Sequence, residues 1–310
     1  MRCNKNQPSN LGSSETIREA PQSIQLSHYI KLGKPEHIKY IDERFLEWFI
    51  GFSEGDGSFS QTKRAFVINQ KDPKLLFRIK KKLGFGSVYQ TTDPGIWRYS
   101  VTGKTNCLRL YFLFNGNLAL YKNLQRFIHW SVLLEPELKV QTETLTITLD
   151  NGWLAGFIEA EGGFYGRVRK NSRTKSGLQF QKKFYLTQKD EIKILQRILI
   201  LLESNAKIDT FTQNGRTYNR CEICSFHSHN LLLKYLVNFP TFGLKNVSIC
   251  IWRKMHGRQD RAEHLTTTGL QKLNHLCLLL KKSNERLEVE DIVHNINPCK
   301  KTESKSTSLH

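Results

Sequence analysis

One apolar stretch occurs twice in this chain, and that duplication limits the folds open to it. It runs Trp48-Phe49-Ile50-Gly51-Phe52-Ser53-Glu54-Gly55-Asp56-Gly57-Ser58-Phe59 and returns as Trp153-Leu154-Ala155-Gly156-Phe157-Ile158-Glu159-Ala160-Glu161-Gly162-Gly163-Phe164. The Trp, the Gly, the acid pair and the final Phe keep the same spacing. Phe45, Trp48, Phe49 and Phe52 fall at i, i+3, i+4 and i+7, the pattern of a buried helical stripe. Each copy is too short to span a bilayer, and the glycines after the acids fit a helix C-terminus. Small residues four apart, Gly51 with Gly55 and Gly156 with Ala160, share one helical face, where two backbones can approach closely. The carboxylates sit at the negative end of the helix dipole, which disfavours them unless a cation compensates. Carboxylate oxygens beside the free carbonyls of a last turn suit magnesium or calcium. Repetition about a hundred residues apart points to paired structural units.

Composition narrows the partner. A chain of 310 residues with 39% hydrophobic content suits two domains of ordinary size. No stretch is long and apolar enough for a membrane span, so no membrane partner is expected. The net charge of +19 calls for a polyanion, above all nucleic acid. Seven cysteines, an odd number in so long a chain, do not make a secreted disulfide framework. The N-terminus has no secretory layout, and Glu15 and Glu19 interrupt any transit-peptide character. The protein is expected to work in a reducing interior, where it is made.

Both halves run in the same order. Residues 1–40 are polar and are expected to form a flexible extension. After the first repeat come strands at 58–62 and 65–70, then Asp72-Pro73 as N-cap and first residue of a helix stopped by Gly84. Strands at 87–91 and 96–102 and a Leu/Phe-rich helix from about residue 108 follow. The second half has strands at 163–170 and 178–188, a helix capped by Asp190, strands near 207–211 and 220–226, and a helix from about residue 230. Gln-Lys-Asp recurs (70–72, 188–190), as does Lys-Asn with a Trp seven or eight residues on (Lys122, Trp130; Lys245, Trp252). The expected domains are 41–140 and 141–293, the latter with a terminal helix at 260–286 packed on it. Residues 294–310 are expected to be a disordered tail.

Strand alternation separates two faces. Leu178, Phe180, Phe184 and Leu186 share one; Gln179, Gln181, Lys183, Tyr185 and Thr187 share the other. Tyr165, Arg167 and Arg169 lie opposite Phe164 and Val168. The polar face carries side chains able to read base edges in a major groove, and these strands are nearly free of acids. The first-half candidates are Ser60, Thr62, Lys63, Asn69, Arg98, Ser100 and Thr102. Arg173 and Lys175, in the loop between strands, suit phosphates. Cys221 and Cys224 with His227 and His229 raise the question of zinc. A lone C-x-x-C on a strand puts its sulfurs on opposite faces, which argues against it.

From about residue 42 to 290 the chain resembles the LAGLIDADG homing endonucleases, in their two-repeat, single-chain form. Residues 264–270 resemble the start of a terminal helix found in fungal and algal members. The resemblance implies an α+β fold: two pseudo-symmetric α-β-β-α-β-β-α domains whose curved antiparallel sheets form a DNA-binding saddle. The repeated helices would pack at the domain interface. It implies a monomeric, site-specific endonuclease that cuts both strands of a long asymmetric DNA target with Mg²⁺ or Mn²⁺; Ca²⁺ could occupy the same site. Asp56 and Glu161 would hold the metal, helped by the carbonyls of Gly55 and Ala160. Gln70 and Gln188 match a polar position that orders water near the ions; each is in phase with the apolar face of its strand. Lys122 and Lys245 match a basic residue near the scissile phosphate, while Glu54 and Glu159 have structural roles. The gene would be an open reading frame in an intron, and the protein would act inside a mitochondrion or chloroplast. The alternative is an RNA maturase of the same fold, with intron RNA as partner.

Overall fold

The computed structural model describes residues 23–292, with side chains as far as residue 285. Helix α1 (Glu43–Asp56) begins where the Asp42 carboxylate accepts the Phe45 amide at 3.1 Å. Strands β1 (Gly57–Phe59), β2 (Ala65–Gln70), β3 (Ser87–Gln90) and β4 (Trp97–Thr102) form an antiparallel sheet in the order β1-β2-β4-β3. Helix α2 (Pro73–Leu83) has the expected ends: Asp72 accepts from Lys74, Pro73 opens the first turn, and Gly84 stops it at φ +82°. Helices α3 (Lys104–Phe114) and α4 (Tyr121–Leu134) complete the half.

The second half repeats this plan with α5 (Trp153–Glu161), β5 (Gly162–Lys170), β6 (Leu178–Lys189), α6 (Ile192–Leu201), β7 (Ile208–Gln213), β8 (Arg216–Ile223), α7 (Phe226–Asn238) and α8 (Lys245–Asp260). Its sheet order, β5-β6-β8-β7, matches the first. Helix α9 (Thr267–Ile292) lies on β5 and α8 and buries Leu270, Leu273, Cys277 and Leu280. The recurring Trp and the last Phe of each repeat explain one another. Trp130 packs on Phe59 with ring centroids 5.3 Å apart, and Trp252 packs on Phe164 at 5.2 Å. Each pair seals the core between sheet and helices.

Two expectations change, and one buried lysine is added. Residues 23–40 do not form a loose arm. Leu26 and Tyr29 are buried, Arg109 donates to Gly33 O at 2.9 Å, and Asn117 exchanges two hydrogen bonds with the Gln25 backbone. Leu26 and Tyr29, with Ile24 and Ile30 packed beside them, dock the segment on the core at α3. Asp190 does not cap α6: it sits at φ +57°, and Glu191 occupies the N-cap position without bonding to α6. Lys182 lies on the buried face of β6, because alternation puts it in phase with Phe180 and Phe184. Its ammonium lies 2.6 Å from His256 Nδ1 and 4.3 Å above the Trp252 ring, and burial pulls its pKa down to about 7. Residues 1–22 and the expected tail at 294–310 lie outside the described residues.

Candidate active site and nucleic-acid interface

Helices α1 and α5 meet backbone to backbone. A Cβ on Gly51 would lie 1.9 Å from Trp153 O, and one on Gly156 would lie 1.9 Å from Trp48 O. No side chain fits at either position, and the reciprocity makes the crossing a pseudo-twofold axis. At the C-terminal end a Cβ on Gly55 would fall 2.3 Å from Ala160 Cβ and 3.5 Å from Glu161 Oε1. The notch therefore seats the Glu161 carboxylate directly against α1. Asp56, Glu161, Gln70, Ala160 and Lys245 line one cleft at this end.

The first acids of each repeat hold the neighbouring helix starts. Glu54 accepts the amides of Ala119 (2.6 Å) and Leu120 (2.8 Å) and the Trp153 indole N–H (3.0 Å). Glu159 accepts the amides of Phe242, Gly243 and Lys245 at 2.9, 2.9 and 3.3 Å. Carboxylates at the N-termini of α4 and α8 are favoured by the helix dipoles. Both are buried, which pushes the Glu54 pKa up to about 7 against the pull of its donors and raises that of Glu159. These two acids serve as struts, as the sequence suggested.

The Gln and Lys pairs are held unequally. Gln70 Nε2 donates to Asp56 Oδ2 at 2.6 Å, so it grips the carboxylate itself. Gln188 is buried and accepts from Lys122 Nζ at 3.0 Å. Lys122 Nζ also reaches Lys189 O at 3.3 Å, and its backbone amide donates to Glu191 at 2.7 Å. Burial lowers the Lys122 pKa, while the negative charges of Glu161 and Glu191 act against that shift. Lys245 Nζ donates to Ala160 O at 3.2 Å.

Register fixes the outward face of each sheet. Tyr165 pairs with Lys183, Arg167 with Gln181, Arg169 with Gln179 and Gly163 with Tyr185, and Thr187 pairs with Arg220. In the first half Asn69 pairs with Arg98 and Ala65 with Thr102. The hairpin residues Ser60, Thr62 and Lys63 project at its end, and Arg173 and Lys175 stand exposed on the β5–β6 loop. Ser100 shares the outward parity but is 8% exposed, covered by its neighbours. The sequence reading missed what β3, β7 and β8 add: Tyr89, Asp209, Phe211, Arg216, Tyr218, Arg220 and Glu222 carry the same parity. Alternation with the buried Asn219, Cys221 and Ile223 was the signal for β8. Acids are therefore present on this face, and Glu222 is paired with Lys183 (2.7 Å) and Arg220 (3.0 Å). Arg220 also lies over the Tyr185 ring at 4.1 Å.

A family model described as LAGLIDADG endonuclease matches residues 154–256, from the second notched helix through α8. The part of the chain that matches is similar to the LAGLIDADG endonucleases. Among proteins similar to this chain, an uncharacterized cox1 intron-2 37.2 kDa protein of Schizosaccharomyces pombe is 25% identical over 272 residues, 85% of this chain and 80% of that one. Probable intron-encoded endonuclease 4 of Neurospora crassa is 34% identical over 168 residues, covering 51% of this chain and 31% of its own. Intron-encoded RNA maturase bI4 of Saccharomyces cerevisiae is 31% identical over 166 residues, 52% of this chain and 24% of its own. The match thus spans most of the first relative but under a third of the other two. Meganuclease I-SmaMI, solved bound to uncleaveable DNA, aligns over 75% of this chain and 95% of its own at TM-score 0.62 and 18% identity. That likeness is one of fold, and the two-domain LAGLIDADG saddle is the architecture shared. I-SmaMI has also been solved on an uncleaved target in the presence of calcium ions.

The donors at the paired ends of α1 and α5 are carboxylates and main-chain carbonyls, a hard-oxygen set that fits Mg²⁺ or Ca²⁺. Ala160 O already accepts a hydrogen bond from the Lys245 ammonium, so the carbonyl faces a position suited to cations. Among the described residues no group of three or more His, Cys, Asp or Glu gathers to hold a metal. Cys221 is buried, Cys224 is exposed and His229 bonds to Ile223 O, so the C-x-x-C residues are not assembled around a common point.

Proposed function

We propose that the chain is a site-specific endodeoxyribonuclease, encoded in an organellar intron and active in that organelle, which cuts both strands of duplex DNA. The observation that carries this reading is the glycine-notched crossing of α1 and α5. It seats Glu161 against Gly55 in the cleft that Asp56 also lines, beside a second sheet that carries Arg167, Arg169, Lys183 and Arg220 on its outward face. Asp56 and Glu161, with the carbonyls of Gly55 and Ala160, would hold Mg²⁺ or Mn²⁺. Such ions, when bound, activate a water and neutralise charge on the phosphate and leaving group. Gln70 fixes the orientation of the Asp56 carboxylate through its 2.6 Å hydrogen bond. Lys122 and Lys245 bring ammonium groups to the same helix ends, where they would counter the phosphate's negative charge.

The outward residues of the sheets would enter the major groove, with Arg167, Arg169, Gln179, Gln181, Lys183, Tyr185 and Thr187 facing base edges. In the first half Asn69, Arg98 and Thr102 would have this role, with Ser60, Thr62 and Lys63 at the hairpin end; Ser100 is too covered to share it. Arg173 and Lys175 would grip phosphates. The two ribbons are unequal: β1 and β2 have 3 and 6 residues, β5 and β6 have 9 and 12. A monomer with unequal halves suits a long target without dyad symmetry.

The test is a plasmid library carrying randomised and intronless-gene inserts, incubated with Mg²⁺ and either the wild-type chain or an Asp56→Asn, Glu161→Gln double variant. Cutting by the wild type alone supports the nuclease. The match to RNA maturase bI4 favours a second reading, assistance to intron splicing. Tight intron-RNA binding with uncut plasmid in both reactions would select it and reject the first.

A further inference from the structure

We propose that Glu191 is a positioning residue for Lys122, through which the second domain sets the geometry of the cleavage centre at Glu161. This rests on the nuclease reading above.

The inference comes from comparing the two halves position by position. Lys122 of α4 is equivalent to Lys245 of α8, and the loop amides before each lysine are held in the same way. Ala119 and Leu120 donate to Glu54; Phe242 and Gly243 donate to Glu159. The third amide breaks the symmetry. Lys245 N–H donates to Glu159 within its own half, whereas Lys122 N–H donates across the interface to Glu191, at 2.7 Å. Glu191 is 7% exposed. It stands at the N-cap position of α6 and yet makes no cap bond there. A carboxylate buried in this way needs a donor, and the Lys122 amide at the start of α4 supplies one with the helix dipole in its favour.

The equivalent residue in the first half is Pro73, which opens α2 and has no carboxylate to offer. Asp72 caps α2, but Asp190 turns into the left-handed region, and Glu191 follows it. The lysine ammonium is held from the same segment, by Gln188 Oε1 at 3.0 Å and Lys189 O at 3.3 Å. Backbone and side chain of Lys122 are thus both clamped by residues 188–191, the end of β6. That strand carries Lys183, Tyr185 and Thr187 on its outward face. A base contact that shifts β6 therefore shifts Lys122, and the second domain's grip on DNA is coupled through it to the cleavage centre at Glu161.

The test uses a supercoiled plasmid bearing a site recovered with the wild-type chain, followed strand by strand. Glu191→Ala is expected to slow one strand about tenfold or more, so that nicked circle accumulates, while the other strand is cut within about twofold of the wild-type rate. Glu191→Gln, whose amide oxygen still accepts the Lys122 N–H, is expected to restore linear product. Affinity for the same DNA in Ca²⁺ is expected to stay within about twofold for both variants. On the metal-free protein, amide hydrogen exchange at Lys122 should accelerate in Glu191→Ala and not in Glu191→Gln. Equal slowing of both strands, or unchanged cutting and exchange, would overturn the proposal. Failure of the wild-type chain to cut any DNA would instead overturn the nuclease reading on which it stands.

Discussion

Replacing Gly51 or Gly156 by alanine tests the helix crossing where it has least room. Either methyl would sit 1.9 Å from a main-chain oxygen of the opposite helix, with further backbone atoms at 2.7 Å (Gly51) and 2.6 Å (Gly156). None of these belongs to a side chain that can rotate away. Restoring an ordinary 3.4 Å contact means parting the helices by about 1.5 Å. Overpacking of this kind costs about 3 kcal/mol, and the better helix propensity of alanine returns about 1 kcal/mol. The net loss of about 2 kcal/mol should lower a urea midpoint by roughly 0.7 M. A shift of about 1 Å between Asp56 and Glu161 should also cost about a hundredfold in cleavage rate, beyond the stability loss. Gly257 supplies the control. It lies in α8, and an added methyl would first meet Arg261 Nη1 at 3.5 Å. Gly257→Ala should therefore stabilise by up to about 1 kcal/mol. If Gly51→Ala and Gly257→Ala unfold at the same urea concentration, and Gly51→Ala still cuts DNA, the close-packing argument is wrong.

Other consequences are open to measurement. Burial pushes the Glu54 pKa up to about 7 from its ordinary 4.5. Its contribution to stability is therefore full below pH 4.5 and is lost as pH rises through 7, by about 3 kcal/mol at most. Glu54→Gln, which keeps one acceptor oxygen and removes the titration, should flatten that part of the stability profile. Lys182 is shifted the other way, from 10.5 to about 7, so the folded state carries a charge penalty that is full below 7 and relieved as pH climbs toward 10.5. Lys182→Met should be more stable than wild type at pH 6, by an amount of order 2 kcal/mol. That advantage should fade by pH 10, with DNA cutting unchanged because the side chain faces the core. Arg173→Ala should weaken binding to all DNA alike and reduce the salt slope by about 1. Arg167→Ala should cost about 1–3 kcal/mol and relax preference at one base pair.

The elements legible from sequence are those whose signal is local. The two notched helices follow from Gly51, Gly55 and Gly156 at helical spacing, and the α2 ends from Asp72, Pro73 and Gly84. The outward face of β6 follows from period-two alternation. What escaped depends on pairing at long range. Lys182 interrupts an apolar face, and only the arrival of His256 and Trp252 from α8 makes its burial tolerable. Asp190 matches Asp72 in a sequence comparison, yet its backbone turns left-handed and leaves Glu191 to reach α4. The outward residues of β7 and β8 depend on a register that neither strand states alone. Gln70 and Gln188 look equivalent, but one holds the acid and the other holds a lysine. Leu26 and Tyr29, with Ile24 and Ile30 beside them, make no sustained periodic signal and are enough to bury the segment on α3.

The central claim is that the paired helix ends hold divalent ions between Asp56 and Glu161. Anomalous scattering from crystals of the protein grown with target DNA and Mn²⁺ measures this directly. The account predicts density at about 2.0–2.6 Å from oxygens of both carboxylates, lost in the Asp56→Asn, Glu161→Gln variant. Manganese bound elsewhere, or none at this cleft while the DNA is cut, would contradict it.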